Sequence, residues 1–481
     1  MQTCDACLPR LAGPAADPAA PGGHAITTAS DAIATDRPIA LLPWRQLGLI
    51  SVYWFGINAV WGAYEGFGQK QIELIAGRAS VGSVMGPLEL LGALVAILTV
   101  PVAGSLSDYT TSRFGKRKGY IITGAIFDLV FISGLALIAM AQPDDWDGTA
   151  LGSTRLLITY ALLFLGLQLS SNVAQGPYQG FVPDLVAEPQ VGLASGLVGV
   201  MRTVGLVTGF VIMAIGSSNE LWGPALLVVG VIELGLAALT FAVVDDGPQG
   251  RPREGRSWAS VAVETWGLDI LRERSFLRMT LVRLLFLMGT GTFINISLLY
   301  VERVFGVTDG DERTFIWLAA AGMGLAGTVL AALPAARISD RTGRKPVVWA
   351  AALLASLGVV ILATAGSPAV ALVGAFFLGA GSGAYIAVDW ALMTDIIPLA
   401  SAGRYMGIAN IANSISGPLG LAIAGPVMDA FYRAGDVPMG PRVAVGLGVL
   451  ALGAASVVLI GVHPRRDPRG AEALARASGE S

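Results

Sequence analysis

The sequence predicts an all-α integral membrane protein whose twelve transmembrane helices form two homologous six-helix bundles. Three observations carry that expectation. Of 481 residues, 54% are hydrophobic and only 14% charged, with a mean hydropathy of +0.66. Soluble proteins average about 25% charged residues, so this chain lacks the polar side chains to cover a water-facing surface, and lipid is its solvent. Apolar windows of 18 or more residues recur along the chain, each long enough to cross about 30 Å of hydrocarbon as a helix. Three segments of the second half also echo the first in the same order.

Taken in order, residues 1–44 are rich in Ala, Pro, Gly and Asp and lack the charged, apolar and cleavage-site order of a signal peptide, so they read as a disordered cytoplasmic tail. Spans are expected over 45–68, 82–107, 119–141, 155–178, 192–215 and 221–244, making an N-terminal bundle over 45–244. A polar central loop, 245–277, follows; its part from Trp258 to Arg274 has the pattern of a short amphipathic helix lying on the membrane. The C-terminal bundle, 278–463, holds spans over 278–302, 314–338, 346–366, 368–393, 404–430 and 440–462, before a cytoplasmic tail, 464–481.

Lys and Arg set the orientation, because cytoplasmic loops retain them. The loop after span two holds Arg113, Lys116, Arg117 and Lys118, and the loop after span eight holds Arg341, Arg344 and Lys345; the loop QPDDWDG at 142–148 on the other side has three acids and no base. Both termini are therefore expected in the cytoplasm of a multi-pass protein of the cell's inner (plasma) membrane.

Several functions are excluded. A net charge of −3 gives no basic footprint for nucleic acid. Cys4 and Cys7 form one CxxC in the tail with no second pair, so no metal site is expected. His24 and His463 lie outside the spans, which excludes an intramembrane histidine proton relay. No Walker loop, HExxH or nucleophile elbow is present, so neither an enzyme nor an ATP-driven pump is indicated, and no cofactor is expected. Without a large extramembrane module, a receptor or scaffold is disfavoured; the chain is expected to be a monomer in the bilayer.

The repeats are specific. LSDYTTSRFGKRK, with Asp108, answers ISDRTGRK, with Asp340; Asn58 and Glu65 answer Asn295 and Glu302 at identical spacing; Asp184 answers Asp395, with Gly196 and Gly407 twelve residues beyond each. Parallel repeats of this kind place a ligand near the midplane between halves that rock about it.

An Asp ending one span with a basic cluster a few residues on, in GSLSDYTTSRFGKRKGY and again in RISDRTGRKP, resembles the loop signature of the major facilitator superfamily. Within it, SDYTTSRFGKRKGYI, the segment SSNVAQGPYQGFVPDLV and the Gly407–Asn410 pair of RYMGIANIAN resemble the sucrose-transporter-like branch of the glycoside-pentoside-hexuronide cation symporters. The resemblance implies alternating access, a pathway lined by spans one, four, seven and ten, and a conformational latch in which Asp108 and Asp340 face helix ends while Arg113 and Arg341 pair with acids such as Asp184 and Asp395. Two positions depart from plant-type sucrose symporters: Gln168 and Gln179 stand where those carry an acid and an Arg, so proton coupling through that acid does not carry over.

Intramembrane polar residues are the site candidates, since each is costly in hydrocarbon unless it faces a cavity or a partner. Gln168, Asn172, Gln175 and Gln179 recur at four, three and four residues on one face of span four. Such an amide stripe suits a polyhydroxylated ligand, whose hydroxyls both donate and accept; the bland alternative is interhelical glue. Trp54, Asn58, Trp61 and Glu65 in span one add aromatic faces for the C–H side of a sugar ring, against an alternative in which Trp61 sits in the interfacial belt. Thr292 and Asn295 in span seven and Tyr385 in span ten join them. For cation coupling, Asp389 has no obvious local cation, and Asp128 lies about 14 Å into span three, with Arg202 or Arg283 as its expected partners or a purely structural ion pair as the alternative. Glu89 and Glu233 rank lower. The expected function is secondary active transport of a sugar or glycoside, sucrose- or maltose-like, with H+; the alternative is a proton-antiport exporter of drugs or small hydrophobic metabolites.

Overall fold

A computed structural model describes residues 40–141, 150–219, 221–246, 255, 257, 273–396 and 402–462. Cys4, Cys7, His24, His463, the loop 142–148 and the amphipathic helix expected over 258–274, apart from Glu273 and Arg274, lie outside the described residues. The N-terminal half comprises α1 (Trp44–Ser51), α2 (Tyr53–Ala76), α3 (Val81–Asp108), α4 (Lys118–Met140), α5 (Ala150–Tyr178), the short α6 (Phe181–Leu185), a 3-10 turn (Glu188–Gln190), α7 (Val191–Ser218) and α8 (Trp222–Val243). The C-terminal half comprises α9 (Arg274–Phe305), α10 (Gly310–Thr342), α11 (Arg344–Thr364), α12 (Pro368–Ile396), α13 (Ala402–Arg433) and α14 (Met439–Ile460).

Eleven of these helices are long and apolar enough to cross a membrane. The expected first span is the exception. It breaks at Val52 into α1 and α2, and α2 carries Gln69, Lys70, Gln71 and Glu73 in its last turns. These polar groups face inward: Gln69, Gln71 and Glu73 are at most 5% exposed. The Tyr178 hydroxyl donates to the Ile50 carbonyl (2.6 Å) and accepts from the Tyr53 N–H (3.0 Å), so one side chain satisfies backbone groups on both sides of the break.

The halves meet through α3 on α13, α7 on α10, and α2 on α9. Small residues set the first contact: a Cβ on Gly82 would lie 2.4 Å from the Gly425 carbonyl oxygen, and one on Gly86 2.5 Å from the Ala422 Cα. Helix association within lipid rests on this close backbone approach. Asp429, fully buried on α13, accepts from the N–H groups of Gly82 (3.1 Å) and Ser83 (2.6 Å), so one half supplies the carboxylate that satisfies the start of a helix in the other.

At the same end, charges are exchanged across the interface. Lys70 and Glu73 of α2 meet Glu302 (3.2 Å) and Arg303 (3.1 Å) of α9, while Arg313 of α10 binds Glu302 (2.7 Å) and the Ser217 hydroxyl of α7 (2.9 Å). Trp317 of α10 packs onto Gly66 and donates to the Ser297 hydroxyl (2.9 Å). This end of the bundle is sealed.

The opposite end carries the basic loops, and they share a turn. Gly115 and Gly343, each just ahead of a basic pair, have φ of 101° and 90°, a region open to glycine at little cost. Asp246, just past α8, accepts from the N–H groups of Arg117 (2.5 Å) and Lys118 (3.0 Å) and caps α4. Burial pushes the Asp246 carboxyl above the usual carboxylate range, and the two N–H donors only partly offset it.

A leucine at position 86 should wedge α3 from α13. In a variant whose Cys4 and Cys7 are replaced and Ser83 is made cysteine, Gly86→Leu is expected to speed maleimide labelling at position 83 at least tenfold in detergent. An unchanged rate would show that this contact does not seal the end.

Candidate functional site

A cavity of ≈ 190 Å³ lies where the halves meet, lined by Trp61 of α2, Glu89, Ala93 and Ala96 of α3, Gln168 and Asn172 of α5, and Ser414 and Pro418 of α13. Each lies within the interior of its helix, so the cavity sits near mid-bilayer. Asn172 Nδ2 donates to the Gln168 carbonyl (2.6 Å) and lies 3.3 Å from Gln168 Oε1, which fixes the two amides relative to each other. Gly92 makes room for them: a Cβ there would fall 2.7 Å from the Phe164 ring and 3.0 Å from Gln168 Nε2.

Pro418 adds an acceptor. Lacking an N–H, it cannot bond the carbonyl four residues back, which is that of Ser414, so this cavity-lining residue keeps a carbonyl without its usual helical donor. Behind the cavity the Tyr64 and Tyr160 hydroxyls lie 3.0 Å apart, and the Tyr64 ring stacks on Phe164 at 5.0 Å. The lining thus offers an aromatic face, two amides, a hydroxyl and one carboxyl, and none of the lining residues is basic.

Of the sequence-predicted residues, the cavity brings together Trp61, Gln168 and Asn172. Glu65 is half-buried one turn beyond Trp61, and Asn295 reaches α13 at Gly417, next to Pro418. The rest fall elsewhere. Trp54 packs against Tyr178 (5.4 Å) beneath Arg202 (5.0 Å), and Asn58 donates to the Trp54 carbonyl (2.8 Å). Gln175 is half-buried, and Gln179 is exposed beyond the end of α5, about 16 Å along from Gln168. Thr292 bonds the Met288 carbonyl (2.9 Å) against Gly420.

The expected charge partners are corrected. Asp389 does have a cation: Arg283 of α9 bonds it directly, and the Tyr385 hydroxyl donates to its other oxygen at 2.8 Å, with Tyr385 stacked on Phe286 at 3.9 Å. Tyr385 and Asp389 are thus buried in the C-terminal half, not presented to the cavity. Arg283 is therefore not the partner of Asp128, and neither is Arg202, which lies over Trp54. Asp128 sits on α4 among α5 and α8, away from the half that carries Arg283; it accepts from Ser170 and neighbours Glu233.

The latch also differs. Arg113 is exposed over the Phe114 ring (4.5 Å), and the expected role falls to Arg117, which bonds Asp108 (2.7 Å), Asp184 (2.8 Å) and the Pro177 carbonyl (3.0 Å), with Lys116 on Asp184 (2.8 Å). The turn at Gly115 reverses the chain so that Arg117 points back into the bundle. Gly180 leaves it space, since a Cβ there would lie 2.0 Å from Nη1. In the second copy Asp340 and Arg341 are exposed; the side chain of Asp395 lies outside those described.

Glu89, expected only as a lower-ranked coupling candidate, lines the cavity, and Ser414 and Pro418 complete it without having been among the predicted site residues. A proline inside an apolar helix with a serine four residues before it was the available signal for the last two.

Comparison with known proteins places this geometry. Sucrose transport protein SUC4 of Arabidopsis thaliana is 30% identical over 135 residues, 27% of this chain and 25% of the relative. Sucrose transport protein SUT1 of Oryza sativa subsp. japonica is 30% identical over 145 residues, 28% and 26% of the two chains. The match thus spans about a quarter of the length of these curated relatives. Among solved structures, a mutant of the nucleoside transporter NupG superposes with a TM-score of 0.66 at 12% identity over 86% of this chain and 99% of that one. A D-xylose-proton symporter superposes with a TM-score of 0.63 at 17% identity over 87% and 97%. At these identities the likeness is one of fold. The Major Facilitator Superfamily profile matches residues 47–421 and 309–475, taking in both halves, and the chain belongs to that superfamily.

Proposed function

We propose that this protein is a secondary active transporter that moves a sugar or glycoside, sucrose- or maltose-like, together with H+ by alternating access. The observation that carries the reading is the composition of the cavity between the halves: Trp61 for the apolar face of a sugar ring, Gln168 and Asn172 for its hydroxyls, and Glu89 as the one ionisable lining group. The absence of a lining base argues against an anionic solute, and the amides argue against a greasy one. The similarity to plant sucrose transport proteins supports the same solute class.

The basic loops support an orientation in the plasma membrane with both termini in the cytoplasm. The sealed end then faces outward, and the described conformation is closed to the outside. Glu89, rather than Asp389, is the coupling group: a carboxyl in the cavity wall changes its environment when solute and water enter, whereas Asp389 is neutralised by Arg283.

Proteoliposomes given labelled sucrose or maltose under an inward proton gradient should accumulate solute and lose the accumulation when a protonophore is added. No uptake of either sugar under both conditions would remove the sugar reading. Glu89→Gln should abolish uphill accumulation and retain counterflow exchange; accumulation at the wild-type level would take Glu89 out of the coupling role. Asp389→Asn should lower stability by about 3 kcal/mol, since it leaves a buried, uncompensated Arg283, with most of the loss recovered in the Arg283→Met/Asp389→Leu double variant. Thermal unfolding in detergent reads both, and an Asp389→Asn variant as stable as wild type but unable to accumulate solute would return coupling to that pair.

A further inference from the structure

In the wall of the N-terminal half, away from the cavity, two acids lie on packed helices, and among the described residues neither has a salt bridge to a cation. Asp128 of α4 and Glu233 of α8 are 0% and 1% exposed, each about halfway along its helix, and the two helices pack directly on one another. The groups that face them are all neutral: Ser170 of α5 donates to Asp128 Oδ1, and the Tyr53 hydroxyl of α2 donates to Glu233 Oε1 at 3.3 Å. Tyr178 of α5 is engaged with the α1/α2 break, and Arg202 of α7, the nearby base, lies over Trp54. Asp128 Oδ2 and Glu233 Oε2 are each buried with no hydrogen-bond partner.

Two carboxylates this close in hydrocarbon cannot both be ionised, because neither solvent nor a counter-charge offsets their repulsion; carboxyl pairs in such places hold one proton between them. A proton on one carboxyl removes that repulsion and supplies a donor among buried oxygens that have no partner. We infer that Asp128 and Glu233 form a proton-holding pair, which the Tyr53 hydroxyl ties to the break between α1 and α2. Tyr53 is the first residue of α2, and its own N–H bonds the Tyr178 hydroxyl that bridges the break. Gain or loss of the proton changes what Glu233 asks of the Tyr53 hydroxyl, and so acts on the point about which α2 leaves α1. The inference stands on buried geometry and holds whatever the solute is.

Infrared spectroscopy of the purified full-length protein tests it without any transported solute. The wild type at neutral pH should show a protonated carboxyl C=O band that is missing from Asp128→Asn/Glu233→Gln. No difference in that region would mean that the pair carries no proton and would overturn the inference. The amide replacements keep hydrogen-bonding shape, so the double variant should remain monodisperse. If it does not fold, Tyr53→Phe decides: loss of the hydroxyl that bonds Glu233 should shift the frequency of the same band, and an unshifted spectrum in a folded Tyr53→Phe protein would overturn the link. Failure of sugar uptake in proteoliposomes would leave these spectra unaffected, so the two readings fail separately.

Discussion

A charge inside hydrocarbon is tolerated only where another group neutralises or hydrogen-bonds it, and that constraint locates nearly every functional element of this molecule. The described intramembrane ions are gathered into a few places. At the sealed end Lys70, Glu73, Glu302, Arg303 and Arg313 form a network across the two halves. Arg283 and Asp389 form a closed pair within the C-terminal half. Glu89 lines the cavity with Glu65 one turn beyond Trp61, and Asp128 and Glu233 are buried on packed helices, each with an unpartnered oxygen. The first two places combine opposite signs. The last two hold acids alone, and protons are the simplest way to neutralise them. The division between structural and proton-linked charges thus follows from which partners the fold supplies. Breaking a buried ion pair costs several kcal/mol per exposed partner, so the sealed network cannot part gradually: its members must be rehydrated or exchange partners as the end opens, which favours two discrete states over a continuum.

The two halves share ancestry in sequence but diverge in chemistry. Glu65 and Glu302 occupy equivalent places after an identical Ile-Asn, yet Glu302 is held by Lys70 and Arg313 while Glu65 lies one turn beyond the cavity-lining Trp61. The glycine turns at 115 and 343 keep the same backbone sign, and both precede a basic pair, but the first is locked by Asp246, whose Oδ2 would lie 2.3 Å from a Cβ on Gly115. Duplication supplied the scaffold. Divergence then placed one copy's acid in the sealed network and the other's one turn from the cavity-lining Trp61.

The fold was legible because hydropathy and span length are properties of contiguous sequence. Its one weak point, the first span, was polar for a reason that contiguous sequence does not carry: Gln69, Lys70 and Glu73 point at another half of the protein and not at lipid. The site was legible where one helix sufficed. Gln168 and Asn172 share a face at four residues' spacing, and Trp61 shares one with Asn58 and Glu65; the reading failed at Gln179, where α5 ends. It also failed wherever two helices had to be phased against each other. Nothing in the chain says that Arg283 turns to Asp389 and not to Asp128, nor that the turn at Gly115 aims Arg117, and not Arg113, at Asp184. Glu89 ranked low because its place in the sequence suggested a span end, whereas the tight packing of α3 on α13 brings it to the cavity wall.

One helix connects the places where charge matters. Along α2, Tyr53 touches Glu233, Trp61 lines the cavity about 12 Å further on, and Lys70 and Glu73 enter the sealed network about 14–18 Å beyond that, at 1.5 Å per residue. An α-helix transmits displacement along its axis with little loss because its backbone bonds are internal, and α2 is unbroken between these points. Its only break, at Val52, lies next to the carboxyl pair. A change of hydrogen bonding at Tyr53 therefore acts at the pivot, whereas the cavity and the gate lie along the lever, so a small rotation at one end becomes a larger displacement at the other. The carboxyl pair, the cavity and the sealed network are thus linked without a chain of intervening side chains, since the same rigid element contacts all three.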